Sequence, residues 1–202
     1  MTLIAPLSRR WDWSFRHLWP VLVIVIPCVL LALGGEPVRL LLRYDRAAIL
    51  QGELWRLVSG NFVHLGWGHV LEDLAGYVLL WLLVEDVLPG WRCPVLVLGG
   101  GLMVGLGFFF GNPGLQWYVG LSGALNTVWA AGALALMGRR DSIGGLLGIF
   151  LGAKLFYEQR WGPLPFAALT TGGPVVVDAH LYGALAGILW GLLALAWRRR
   201  WV

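Results

Sequence analysis

Charge is what this chain has least of: Asp, Glu, Lys and Arg together make up 13% of its 202 residues. Hydrophobic residues make up 58%, and mean hydropathy is +0.74. A soluble domain of this size needs far more polar surface to cover its core, so a water-soluble globule is excluded. Cysteine is nearly absent as well. Cys28 falls mid-span in the first apolar segment and Cys93 in a loop after the second. That difference in depth argues against a disulfide, and both read as small buried hydrophobes. The histidines form no closed ligand set, so no metal and no organic cofactor is expected. There is no internal repeat and no low-complexity tract. The net charge of +4 does not point to nucleic acid, because the basic residues cluster at the ends of apolar segments, where they set orientation in a bilayer.

What the chain does have is long apolar runs. A spanning helix needs about 20 apolar residues, so this length holds roughly six spans and no soluble domain beside them. The pattern predicts an all-α, polytopic, six-helix membrane bundle as one domain over 1–202, with spans near 18–33, 68–88, 94–110, 120–137, 143–157 and 179–197. Many of the 13 Trp fall near span ends, where amphipathic rings settle at the lipid interface. The first run follows Arg9, Arg10 and Arg16 and lacks a small-x-small cleavage site, so it reads as a retained span and not a signal peptide. The fifth is short and Gly-rich. Arg9, Arg10 and Arg16, then Arg139 and Arg140, then Arg198, Arg199 and Arg200 fall on one side, predicting both termini in the cytoplasm. The opposite side carries the longest connection, 35–63, where Leu40, Leu41 and Leu42 between Arg39 and Arg43 predict a helical piece at the interface.

The rare polar groups converge. His64, His69 and Asp73 stand at the head of the second span, Ser122 at the head of the fourth, and His180 at the head of the sixth. All three spans begin at the outer face, so these groups share one depth. Polar groups at membrane depth are costly and face a bundle interior or a water-filled cavity. His69 and Asp73, four apart, share a helix face. Ser122 lines up with Asn126. Below His180, Gly183, Gly187 and Gly191 form a small-residue ridge that lets a neighbouring helix approach closely. If the two faces pack, the Ser122 hydroxyl reaches the His180 imidazole, as Ser–His chemistry requires.

These residues resemble the rhomboid intramembrane proteases. The resemblance rests on Trp55-Arg56, His64-xxxx-His69-xxx-Asp73, Gly120-Leu121-Ser122-Gly123, and Ala179-His180-Leu181-Tyr182-Gly183 with Gly187. Lys154-xxx-Glu158-Gln159 and the run 177–183 look most like the rhombosortase branch. That branch is associated with bacterial proteins ending in a Gly-Gly motif, a hydrophobic span and a basic tail. The resemblance implies Ser122 as nucleophile and His180 as general base and acid, a dyad without an acidic third member; Asp178, two residues before His180, points elsewhere. It implies an oxyanion hole of His69, the Ser122 backbone N–H and position 73, with His64, Asn126, Gly120 and Gly123 in support. Gly183 and Gly187 serve packing. It also implies residence in the bacterial inner membrane, amid lipid, with transmembrane proteins as substrates. Position 73 is usually Asn in the family. A protonated Asp73 donates to an oxyanion, whereas an ionised one repels it and instead orients His69. Both readings stay open here.

The main competing reading is a non-catalytic relative that binds and escorts membrane segments; such relatives commonly lose the serine or histidine, and both are present. A transporter or channel would carry polar groups through the whole bilayer, and here they stop near the outer third apart from Asn126. The paired glycines in 170–174 predict a segment that either caps the site or simply connects two spans.

Overall fold

The computed structural model describes residues 15–165, 167 and 171–199. Arg9, Arg10 and Arg200 of the basic clusters, and Thr170, lie outside them. Six long helices carry the fold: α1 (Phe15–Leu33), α5 (Trp67–Val84), α6 (Arg92–Gly111), α7 (Ser122–Gly138), α8 (Ser142–Trp161) and α9 (Val177–Arg199). Between the first two lie three short helices, α2 (Gly35–Leu42), α3 (Arg46–Leu50) and α4 (Arg56–Ser59). Two-residue strands β1 (Tyr44–Asp45) and β2 (Trp117–Tyr118) pair antiparallel, Tyr44 opposite Tyr118.

By length and apolar composition, α5, α6 and residues Val177–Ala196 of α9 can each cross a membrane. The pair Leu18–Leu33 and Gly35–Leu42, bent by 118°, passes the same test together. Leu30, Phe110, Leu146, Ile149, Phe150 and Leu193 are all exposed. Such a surface is stable against lipid and not against water. The protein is a multi-pass membrane protein.

The helix that organises the bundle is α7. It packs against α5, α6, α8 and α9, and most of its side chains are buried. Its closest neighbour is α9. A Cβ at Gly183 would run into the Gly123 carbonyl, one at Gly187 into the Thr127 carbonyl, and one at Gly191 would reach 2.8 Å from Leu134. The predicted small-residue ridge is therefore the α7–α9 contact. It allows Thr127 Oγ1 to donate to the Gly183 carbonyl at 2.8 Å, a bond that in lipid has no water to compete with it.

The chain alternates in direction through the bundle. The end of α1 (Leu31, Ala32) borders the same small cavity as His64, at the head of α5. The start of α1 lies at the other end, where the Pro20 carbonyl accepts from Tyr77 Oη at 2.7 Å and Trp19 lies beside Gly90. The end of α9 reaches that end too, with Leu195 against Gly138.

Two expectations need correction. Cys93 is the second residue of α6, not a loop residue; its thiol donates to the Leu88 carbonyl at 3.4 Å. Both cysteines are free and buried in one apolar cluster, and no disulfide joins them. The fifth helix is not short: it begins at Ser142, capped by Asp141, and runs to Trp161, four residues past the expected end. Glu158, Gln159 and Arg160 lie past the expected end at 157, and the helix continues through them.

The connection between α1 and α5 is a braced platform. Arg56, buried, donates through Nη1 to the carbonyls of Leu40 (2.9 Å) and Arg43 (3.1 Å) and pairs with Glu53. Ser59 Oγ donates to Leu42 O at 2.6 Å. The predicted interfacial helix is α2, whose Leu41 is exposed.

Candidate active site

A cavity of about 420 Å³ lies between α5 and α8, with α7 and the head of α9 behind it. Its lining includes His69, Asp73, Ser122, Asn126 and His180, so five of the residues singled out by sequence face one space. Most of the remaining lining is apolar, a setting in which a membrane segment and a few polar groups can meet. Thr171 and Pro174, from the Gly-Gly segment, border it too.

Ser122 is the first residue of α7. Its Oγ lies 3.0 Å from His180 Nε2, within the reach needed for proton transfer. The approach depends on the helix packing already described, since Gly123 and Ala179 touch where α7 and α9 meet. The first N–H groups of a helix have no intrahelical acceptor and favour negative charge, and Ser122 sits at that end. Asn126, one turn on, donates to the Ser122 carbonyl at 2.8 Å.

The turn before Ser122 is held from several sides. Gly120 has φ +126°, and a Cβ there would lie 2.8 Å from His69 Nε2, so glycine is needed both for the backbone conformation and for the approach of the imidazole. Its N–H donates to Gly60 O at 3.1 Å, and its carbonyl accepts from Tyr118 Oη at 2.8 Å. The next N–H, that of Leu121, donates to Asp73 Oδ2 at 2.8 Å.

Asp73 Oδ2 also faces two imidazoles. Besides the Leu121 N–H, His69 Nε2 lies 3.3 Å from it and His64 Nε2 lies 3.2 Å from it, both close enough to pair but neither aligned as a hydrogen bond. His69 Nδ1 accepts a long bond from Leu65 N–H (3.5 Å), which leaves the ring proton on Nε2. His64 stacks edge-on against His69, ring centroids 5.0 Å apart. It lies behind Asp73 and borders the smaller cavity beside α1, not the one containing Ser122.

Asp178 turns away from His180, as its spacing implies, and accepts from Asn112 Nδ2 at 2.6 Å. The residue that does face His180 is Glu158, on α8. Its Oε2 lies 2.9 Å from His180 Nδ1 and 2.7 Å from Lys154 Nζ. Sequence reasoning used Glu158 only as a mark of the family branch. The available signal was a buried-helix carboxylate four residues after a lysine, an i, i+4 pair on one face.

A family model described as the Rhomboid domain matches residues 51–197. The chain is 28% identical over 176 residues to the rhomboid protease GlpG of Klebsiella pneumoniae, an alignment covering 84% of this chain and 60% of that protein. It is 26% identical over 163 residues to YdcA of Bacillus subtilis, covering 75% of this chain and 73% of that one. GlpG of Salmonella choleraesuis matches at 26% over 175 residues, 82% of this chain and 59% of the relative. The chain thus spans about 60% of the length of the GlpG proteins it matches. With the family match extending from the platform before α5 through most of α9, the chain belongs to the rhomboid family.

Proposed function

We propose that this chain is an intramembrane serine endopeptidase, with Ser122 as nucleophile and His180 as its general base and acid. The observation that carries this reading is the 3.0 Å approach of Ser122 Oγ to His180 Nε2 inside a largely apolar cavity of a membrane bundle. The substrate segment enters between α5 and α8, which both border that cavity. Ser122 Oγ attacks the scissile carbonyl carbon while its proton passes to His180 Nε2. The carbonyl oxygen becomes an oxyanion, held by the N–H groups at the start of α7 and by His69. As the C–N bond breaks, His180 returns the proton to the leaving amine. Water then attacks the acyl ester, again giving its proton to His180, and Ser122 is released with the new carboxylate product. Asp73 accepts from the Leu121 N–H and holds that turn in place beside His69, to which it lies close enough to pair. A fluorophosphonate probe in detergent is expected to label the wild type on Ser122. A wild-type chain that resists the probe would leave the escort reading in its place.

The six long helices are taken as six spans, in a bacterial inner membrane, with both termini cytoplasmic. The support is that the start of α1 and the end of α9 lie at the same end of the bundle as Arg139 and Arg140. The site then lies near the outer face. A reporter active only in the cytoplasm, fused after Val202, is expected to give signal, and one active only outside is expected to be silent; the reverse pattern would refute this orientation.

For substrates, Lys154-xxx-Glu158-Gln159 and the sequence around His180 favour proteins with a C-terminal Gly-Gly motif, an apolar span and a basic tail. Co-expression with such a protein is expected to yield a shortened product. Equal processing beside Ser122→Ala would remove this substrate class.

A further inference from the structure

The cluster that a two-residue mechanism leaves unused is the one behind His180. Glu158 and Lys154 are one turn apart on α8, a helix that supplies neither the serine nor the histidine. Glu158 is buried and Lys154 is partly so. Lys154 is the only lysine in the chain. A carboxylate and an ammonium at membrane depth are costly even when paired. A pair whose sole purpose was to satisfy itself would be replaced at no loss by two apolar residues. This pair is not closed on itself, because Glu158 Oε2 also meets His180 Nδ1 at 2.9 Å, on the opposite side of the ring from Ser122.

We propose that Glu158 is a positioning residue for His180, completing a Ser122–His180–Glu158 relay across α7, α9 and α8, with Lys154 holding the carboxylate in place. This rests on the protease reading above. An ionised carboxylate only accepts hydrogen bonds, so His180 must present Nδ1–H to it. That fixes the tautomer with a bare lone pair on Nε2, the atom that faces Ser122 Oγ. It also fixes the plane of the ring. When Nε2 takes the serine proton, the imidazolium gains a compensating charge 2.9 Å away. Glu158 borders the same cavity but does not itself take up the proton. Lys154 Nζ, on the same oxygen, leaves the resting site with a paired carboxylate and supplies the second anchor that a single contact to a mobile ring lacks.

The test needs a readout that packing alone does not move. The chain has four histidines, so 15N-histidine spectra of the full chain in detergent can be assigned for His180 by loss of its signals in His180→Ala. The wild type is expected to carry the proton on Nδ1 with Nε2 bare. Glu158→Gln presents an amide that can donate to Nδ1, and the proton is expected to move to Nε2. The rate of fluorophosphonate labelling at saturation then falls about 10³–10⁴-fold, as when the carboxylate partner of a catalytic histidine becomes an amide. The half-saturating probe concentration stays unchanged. Glu158→Asp keeps the Nδ1–H signal and labels faster than Glu158→Gln. In the Glu158→Gln background, Lys154→Met is expected to cost nothing further in labelling rate, because it acts through Glu158. A wild-type spectrum with bare Nδ1 overturns the proposal without any variant, and so decides the matter even if Glu158→Gln does not fold. Wild-type labelling by Glu158→Gln, with Ser122→Ala unlabelled, overturns the relay and leaves the Ser–His pair standing. Labelling of Ser122→Ala instead overturns the protease reading beneath it.

Discussion

Ser122→Ala and His180→Ala are each expected to lower kcat on a membrane-anchored reporter with a Gly-Gly tail by about 10⁶-fold, some 8 kcal/mol of transition-state stabilisation. The two losses should not add. The hydroxyl is a poor nucleophile until Nε2 takes its proton, and Nε2 has nothing to activate once Oγ is gone; each group is useless alone. The double variant should therefore be no slower than either single variant. Expression and membrane insertion should survive in all three. Alanine at 122 still fits the first turn of α7, and the α7–α9 contact is made by Gly183, Gly187 and Thr127, none of which is altered. A helix contact held by backbone approach does not depend on the dyad's hydrogen bond. If the double variant were markedly slower than the singles, the two residues would be acting independently, and the shared proton transfer would be the wrong account. Near wild-type turnover in either single variant would discard the assignment altogether.

Much of this arrangement was readable from sequence because a membrane chain has so few ways to fold. Apolar runs of spanning length must be helices, successive helices joined by short connections alternate, and groups at the heads of alternate helices share an end. That logic brought His69, Asp73, Ser122 and His180 into one cavity and identified the glycine ridge that closes α9 on α7. It fell short at the end of the fifth span, which was set at 157. Residues Lys154 to Arg160 are too polar for a lipid-facing turn, yet α8 continues through them. Lys154 and Glu158 satisfy each other and His180. The third contact comes from 22 residues away in sequence, and no local pattern encodes it. His64 was drawn toward the site by its motif but lies behind Asp73. The bracing by Arg56 and the β1–β2 pairing likewise depend on partners that only the fold supplies.

The same distance in sequence hid the role of Asp73, whose partner Leu121 lies 48 positions away. As a neutral donor to the oxyanion, Asp73 would be matched or improved by Asn. The hydrogen bonding argues otherwise. Oδ2 accepts from a buried backbone N–H, and His69 Nε2 lies 3.3 Å from it, so this oxygen is an acceptor in the resting site. Asp73→Asn can keep the Leu121 bond through its amide oxygen, but a single neutral acceptor holds His69 less firmly than a carboxylate does. Its turnover is expected to fall about tenfold, the equivalent of 1.4 kcal/mol. Asp73→Ala leaves the Leu121 N–H without an acceptor and frees His69. That variant should lose about 10²–10³ in kcat, the usual consequence of a displaced oxyanion donor, and about 1–3 kcal/mol of stability from the unsatisfied buried group. His69→Ala tests the coupling. If Asp73 acts on turnover mainly by holding His69, then Asp73→Asn made in the His69→Ala background should cost almost nothing more. An Asp73→Asn variant faster than the wild type would mean that a donor at position 73 is what the oxyanion needs. The resting hydrogen bond to Leu121 would then have to break before the carbonyl is attacked.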